Sequence, residues 1–289
     1  MRSTSSRLRT GMLAIVLAWA GLSGFQGASL PAQSVAVRQM EGEVRGFLVL
    51  RTLDGDIIAD GDSTQVTHGR EVTNRLVFHF KDGSLQDETV VFSQSGHFHL
   101  LADHLVQKGP AFKHPMDVSI NGSTGLVTVG YRDDNGKDKT ETARLALPPD
   151  LANGMVPILL KNLAPGAQSA TASMVVATPK PLLVKLAITT EGTDSFWTGG
   201  ASHEATRYVI KVDIGGVRGV LAELVGKQPP DTRVWMLGGS CPTFLKAEGP
   251  SSEGGPMWRT ELVSAVWQKG SGWRASRSRA TRGSGPPPL

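Results

Sequence analysis

Residues 72–107 read VTNRLVFHFKDGSLQDETVVFSQSGHFHLLADHLVQ. In 72–80, Val72, Leu76, Phe78 and Phe80 fall on one side of an extended chain, and Thr73, Arg75 and His79 fall on the other. That period of two belongs to a strand with one buried face. Asp82-Gly83 then predicts a hairpin turn, because both residues accept positive φ. Residues 85–94 run back, Ser95-Gly96 turns the chain again, and 97–107 forms the third strand of a meander.

The same grammar extends in both directions. Upstream, 43–53 and 57–67 are strands separated by Asp54-Gly55-Asp56. Downstream, Asn121-Gly122 and Asn135-Gly136 punctuate three more, and strands resume over 171–178, 181–192, 205–216, 232–239 and 257–267. LPPDLANGMVPILLKNLAPG (147–166) interrupts the series. Asp150 is placed to cap a helix on which Leu151, Met155, Ile158, Leu159 and Leu163 share a face, and Pro157 requires a late start or a kink. Residues 217–226 read as a second short helix or a strand.

The fold class is therefore mainly β with minor α. The expected architecture is a large curved antiparallel sheet or half-barrel, residues 37–267, wrapping one or two short helices, one of them near 150–164. Two stacked sheets are the alternative. Phe78, Phe80, Phe92, Phe98, Leu100, Leu159, Leu163 and Trp235, with Val90 and Tyr208, are expected to share an interior. If the concavity is hollow, those eight form an apolar ligand site.

The ends differ from the middle. Arg2, Arg7 and Arg9 precede an uncharged run, GMLAIVLAWAGLSG (11–24), and small residues follow at Ala28, Ala32, Ser34 and Ala36. This predicts a signal peptide over 1–36, with an uncleaved anchor as the alternative. Residues 268–289 are Gly, Ser, Arg and Pro with five basic side chains and no acid, and read as a disordered basic tail. The whole chain carries 30 basic and 26 acidic residues. Without the eight basic residues of its ends, 22 oppose 26, a net charge of −4 over 37–267. The alkaline character belongs to the ends, which argues against a nucleic-acid partner. Cys241 is the one cysteine, so no internal disulfide forms and stability rests on the core; a lone thiol of this kind is expected to be buried and inert.

Four of the seven histidines lie in SGHFHLLADHLVQKGPAFKHP (95–115). Unbroken alternation would put His97, His99 and Asp103 on one face, with His104 opposite beside Phe98 and Leu100. His97 and His99 could then hold a metal with a third ligand such as His79 from another strand. Other motifs fall away. His203-Glu204 is followed by Arg207 where a zincin needs histidine, GGSCPTF (238–244) lacks a nucleophile elbow, and Gly226-Lys227 precedes Gln228. No catalytic residue, metal ligand or cofactor is assigned.

The order of hairpins, then LPPDLANGMVPILLKNL, then more strands, with VFHFKDGSLQDETVVFSQ, HLVQKGPAFKHPMDV and VATPKPLLVKLAI, resembles a class of uncharacterised exported bacterial proteins. More distantly it resembles the periplasmic lipoprotein-carrier fold, in which a curved sheet wraps short helices and shelters an acyl chain. The likeness spans most of 40–267, lies in order and texture, and transfers no functional residue.

The functional expectation is an exported, non-enzymatic protein, periplasmic or secreted, that binds an apolar or amphiphilic, lipid-like ligand. The alternatives are an envelope scaffold with a filled core, meeting an envelope protein or an anionic surface through its tail, and a metal-dependent enzyme using the His97/His99 region.

Overall fold

The computed structural model describes residues 34–133, 135–177, 179–213, 229–251, 254–263 and 266–267. Residues 1–33 of the expected signal peptide, the ambiguous segment 217–226 and the expected tail 268–289 lie outside the described residues.

The strands are β1 (Val44–Thr52), β2 (Ile57–His68), β3 (Glu71–Phe80), β4 (Leu85–Ser95), β5 (His97–Lys108), β6 (Met116–Asn121), β7 (Leu126–Arg132), β8 (Asp138–Arg144), β9 (Ser169–Val176), β10 (Leu182–Thr198), β11 (Ala201–Asp213), β12 (Thr232–Leu237), β13 (Thr243–Pro250), β14 (Met257–Leu262) and β15 (Val266–Trp267). They join one antiparallel sheet. Its first half is the expected meander, β1 to β8 in chain order. Its second half runs β10 to β14 in order, β14 closes onto β1, and β9 and β15 both pair β10. The sheet does not close, since β8 has no outer partner among the described residues. β8, DKTETAR, is exposed along nearly its whole length and carries charges of both signs, which discourages another strand from adding there.

Curvature follows from what touches the helix. α1 (Val156–Lys161) buries Ile158, Leu159 and Leu160. One continuous core joins these to Phe92, Phe98, Val118 and Val127 from the first half and to Leu186, Ile210 and Val234 from the second. Strands far apart in the order can meet one helix only if the sheet bends around it. Gln107 of β5 also donates to the Ser251 carbonyl, just past β13, at 3.3 Å.

The helix is shorter than expected, and Asp150 does not cap it. Pro157 occupies its first turn, where a missing N–H costs nothing, so the helix begins after Met155. Asp150, too far upstream to reach that turn, accepts from Ser173 Oγ at 2.7 Å and Lys185 Nζ at 3.2 Å. β13 was not expected from sequence, because TFLKAEGP mixes apolar, charged and Gly/Pro residues.

Candidate functional site

The eight residues expected to share one interior occupy three clusters. Phe92, Phe98, Leu100 and Leu159, with Leu163 against them, lie in the core around α1. Phe78 and Phe80 pack with Leu48, Leu50, Ala59 and Phe112 in a second cluster. Trp235 packs with Phe196, Ala205 and Leu245 in a third, on the face of β12 opposite Val234. The region around α1 is full. Between Phe98, Leu151, Leu159 and Ala172 runs only a seam too narrow for a water molecule. The acyl-chain space implied by the carrier resemblance is taken by α1 and by the arm from Ser34 to Glu43.

The arm is clamped by polar groups. Val37 N–H donates to Gly96 O, and Phe98 N–H to Val35 O. Asn162 Oδ1 accepts the backbone N–H of Arg38 and Gln39 at 2.8 and 2.6 Å. Glu41 is enclosed by Gln65, Gln94 and Lys161, with Lys161 Nζ 2.6 Å from its Oε2. Each buried polar atom of this clamp has a partner, as burial demands.

The histidine pattern breaks at a bulge. Val91 pairs with Ala102 and Phe92 with Leu100, so Leu101 has no opposite number. Alternation resets there. Asp103 turns inward and is buried, while His104 joins His97 and His99 on the outer face, reversing the expectation for both. Gly122 sits over the bulge: its N–H donates to Leu101 O at 2.8 Å, and a Cβ would stand 2.1 Å from Leu100 O. The His97 and His99 ring centres are 6.5 Å apart, and His104 Nε2 lies 2.9 Å from Asp117 Oδ1. Among the described residues no three His, Cys, Asp or Glu side chains come close enough to share a metal ion.

What the bulge places inside is an acid pair. Val90 stands opposite Asp103, and Glu88 opposite Leu105, so Glu88 and Asp103 are diagonal neighbours on the inner face. Burial pushes the Glu88 carboxyl up to about 7. Burial, then the charge of Glu88, pushes Asp103 up to about 8, tempered by the backbone N–H of His104. Sequence pattern could not pair these acids, because pairing them requires the bulge.

An opening among the described residues has the size of a ligand site. Where β5 leaves for β6 and β7 turns to β8, a groove of about 400 Å³ crosses the rim of the sheet. Its inner-face row is Gln107, Met116, Tyr131 and Lys139, each opposite the next on β5, β6, β7 and β8. Met116 and Tyr131 rest on the main core, and Lys108 and Arg132 stand at the edges. Arg132 Nε meets Asp138 Oδ1 at 3.0 Å, while Lys108 makes no ion pair among the described residues.

Two other constellations serve structure. Ser173 Oγ receives Lys185 Nζ at 2.7 Å, a spacing seen in serine–lysine nucleophiles, but Ser173 is fully buried and Asp150 binds the same ammonium. From β1 into the second half an alternating ladder joins Arg51 to Glu261, Arg259 to Glu248, and Lys246 to both Glu248 and the Trp235 ring, 3.9 Å from its centroid. Trp235 Nε1 donates to Asp194 Oδ2 at 2.6 Å, and Arg207 meets the same oxygen at 2.5 Å. Burial lowers the Lys246 ammonium, and Glu248 partly offsets that. Cys241 is exposed, contrary to expectation, because it lies in the turn before β13, where residues 238–241 are all exposed.

No family model matches the chain, and no curated protein matches it. A solved structure described as a beta-barrel-like protein of domain of unknown function DUF1849 from Brucella abortus is similar at 8% identity and a TM-score of 0.42, over 79% of this chain and 98% of that one.

Proposed function

We propose that the protein is a non-enzymatic binding protein of the cell envelope that holds a small amphiphile at the rim of its sheet. The observation that carries this is a groove of about 400 Å³ whose lining includes Gln107, Met116, Tyr131 and Lys139, with Asp117 and Asp138 beside them, within the usual range for small-molecule sites. Met116 and Tyr131 offer apolar surface for a chain. Lys108, Lys139 and Arg132 offer cations for an anionic head, with the unpaired Lys108 the most available. The packing around α1 supports the rim over the concavity as the place for such a ligand.

Native mass spectrometry with oleate and with neutral monoolein tests this. The expected result is a one-to-one oleate complex weakened at least about tenfold by Tyr131→Ala or Lys108→Glu. An apo mass with both lipids overturns it. The filled core would then favour the scaffold reading, which predicts that removing residues 268–289 abolishes membrane or partner association.

A further inference from the structure

The acid pair beneath the segment leading into α1 is built like a proton-operated latch. Asp103 is only 4% exposed, and its Oδ1 has no hydrogen-bond partner. Glu88 keeps part of its surface accessible, yet its carboxyl lies among densely packed atoms. Among the described residues, the groups facing the pair offer no cation. β3 contributes Leu76, β4 Gln86 and Val90, β5 Leu105 and Gln107, and β6 Val118 and Ile120. The Gln107 amide is committed to Gln86 and Ser251, and that of Asn153 to the Val175 carbonyl. The charged neighbours on these strands point outward and are engaged there, Asp87 with Arg75 and His104 with Asp117. A proton held by Asp103 removes the charge from a buried carboxyl whose Oδ1 has no donor.

The chain above the pair is seated directly on it. Gly154 has φ +61°, and a Cβ there would lie 2.2 Å from Val90 Cγ2 and 3.0 Å from Glu88 Oε1. The residues on either side, Leu151, Ala152 and Met155, belong to the core. Charge appearing at Glu88 and Asp103 therefore pushes against the segment that fills the concavity.

We infer that Glu88 and Asp103 share a proton that keeps residues 150–163 seated on the sheet, and that loss of this proton lifts the segment and uncovers Phe92, Phe98 and Leu100. Two carboxyls at diagonal positions on one packed face, with no cation facing them among the described residues, cannot both ionise cheaply. The raised values of both groups place the transition between neutral and mildly alkaline pH. The latch does not depend on the rim groove.

Hydrogen–deuterium exchange of the full chain at pH 6 and pH 9, corrected for the intrinsic pH dependence, tests it. Peptides from 150–163 are expected to gain about tenfold more exchange than peptides from 116–132. Glu88→Gln and Asp103→Asn should each abolish that gain, and Asp87→Asn, altering the outer face of the same strand, should keep it. No excess gain in the unaltered protein, or a gain that persists in both isosteric variants, overturns the inference. If a variant does not fold, infrared spectra of the unaltered chain decide. A carboxylic-acid C=O band present at pH 6 and lost by pH 9 supports the shared proton, and its absence at pH 6 overturns it.

Discussion

The backbone N–H of Gly122 donates to the carbonyl of Leu101, the bulged residue, at 2.8 Å. That one bond fixes where β5 changes face. A Cβ at Gly122 would strike the Leu100 carbonyl oxygen, which is backbone and cannot swing aside. Gly122→Ala is therefore expected to cost about 1–3 kcal/mol, as overpacking does. Urea unfolding followed by tryptophan fluorescence measures it, and an unchanged midpoint would show that the bulge adapts.

A filled core responds to truncation. Phe98, 2% exposed, is expected to cost about 3–5 kcal/mol on change to Ala and to leave a dry cavity that takes up xenon. Phe47, 58% exposed on β1, should cost no more than about 0.5 kcal/mol. Equal costs for the two would contradict the assignment of faces.

The clamp on the N-terminal arm is a buried ion pair. Lys161→Met leaves Glu41 enclosed without its cation and is expected to destabilise by about 3 kcal/mol or more. Adding Glu41→Gln should recover much of that, because the stranded charge is gone. A double variant no better than the single would place the energy in packing by the lysine stem.

Stability should fall as pH rises. Glu88 and Asp103 have folded-state values raised above those of an unfolded chain, so between about pH 4 and pH 8 the unfolded state sheds protons that the native state retains. Each group in that condition contributes a slope of up to about 1.4 kcal/mol per pH unit, favouring the fold at the acid end. Asp103→Asn should flatten the profile and raise the melting temperature more at pH 8 than at pH 5. Parallel profiles for the two proteins would remove Asp103 from the account.

The meander was legible because its information is local. Strict alternation in VTNRLVFHF and turn residues at Asp82-Gly83 and Ser95-Gly96 specify β3 to β5 without help from the rest of the chain. The late start of α1 was equally legible in Pro157. What failed had long-range causes. The reset of β5 at Leu101 depends on Gly122, which belongs to the next turn, so neither the inward Asp103 nor its meeting with Glu88 could be read from spacing. β13 owes its place to neighbours on both sides and not to its own composition. Trp235 is buried as its size suggested, but with Phe196, Ala205 and Leu245 on the opposite face of β12 from the α1 core, where its indole N–H meets Asp194.

The pairing of β1 with β14 carries a cost in time. Arg51 and Glu261, joined across that seam, are 210 positions apart. At about 5–20 residues per second, on the order of ten to forty seconds of synthesis pass before the second partner exists. Throughout that interval one margin of β1 is a bare template, open to any nascent neighbour of the same kind. A chain ending at residue 256 should stay in that condition permanently and cluster with its own copies, a failure that light scattering would register.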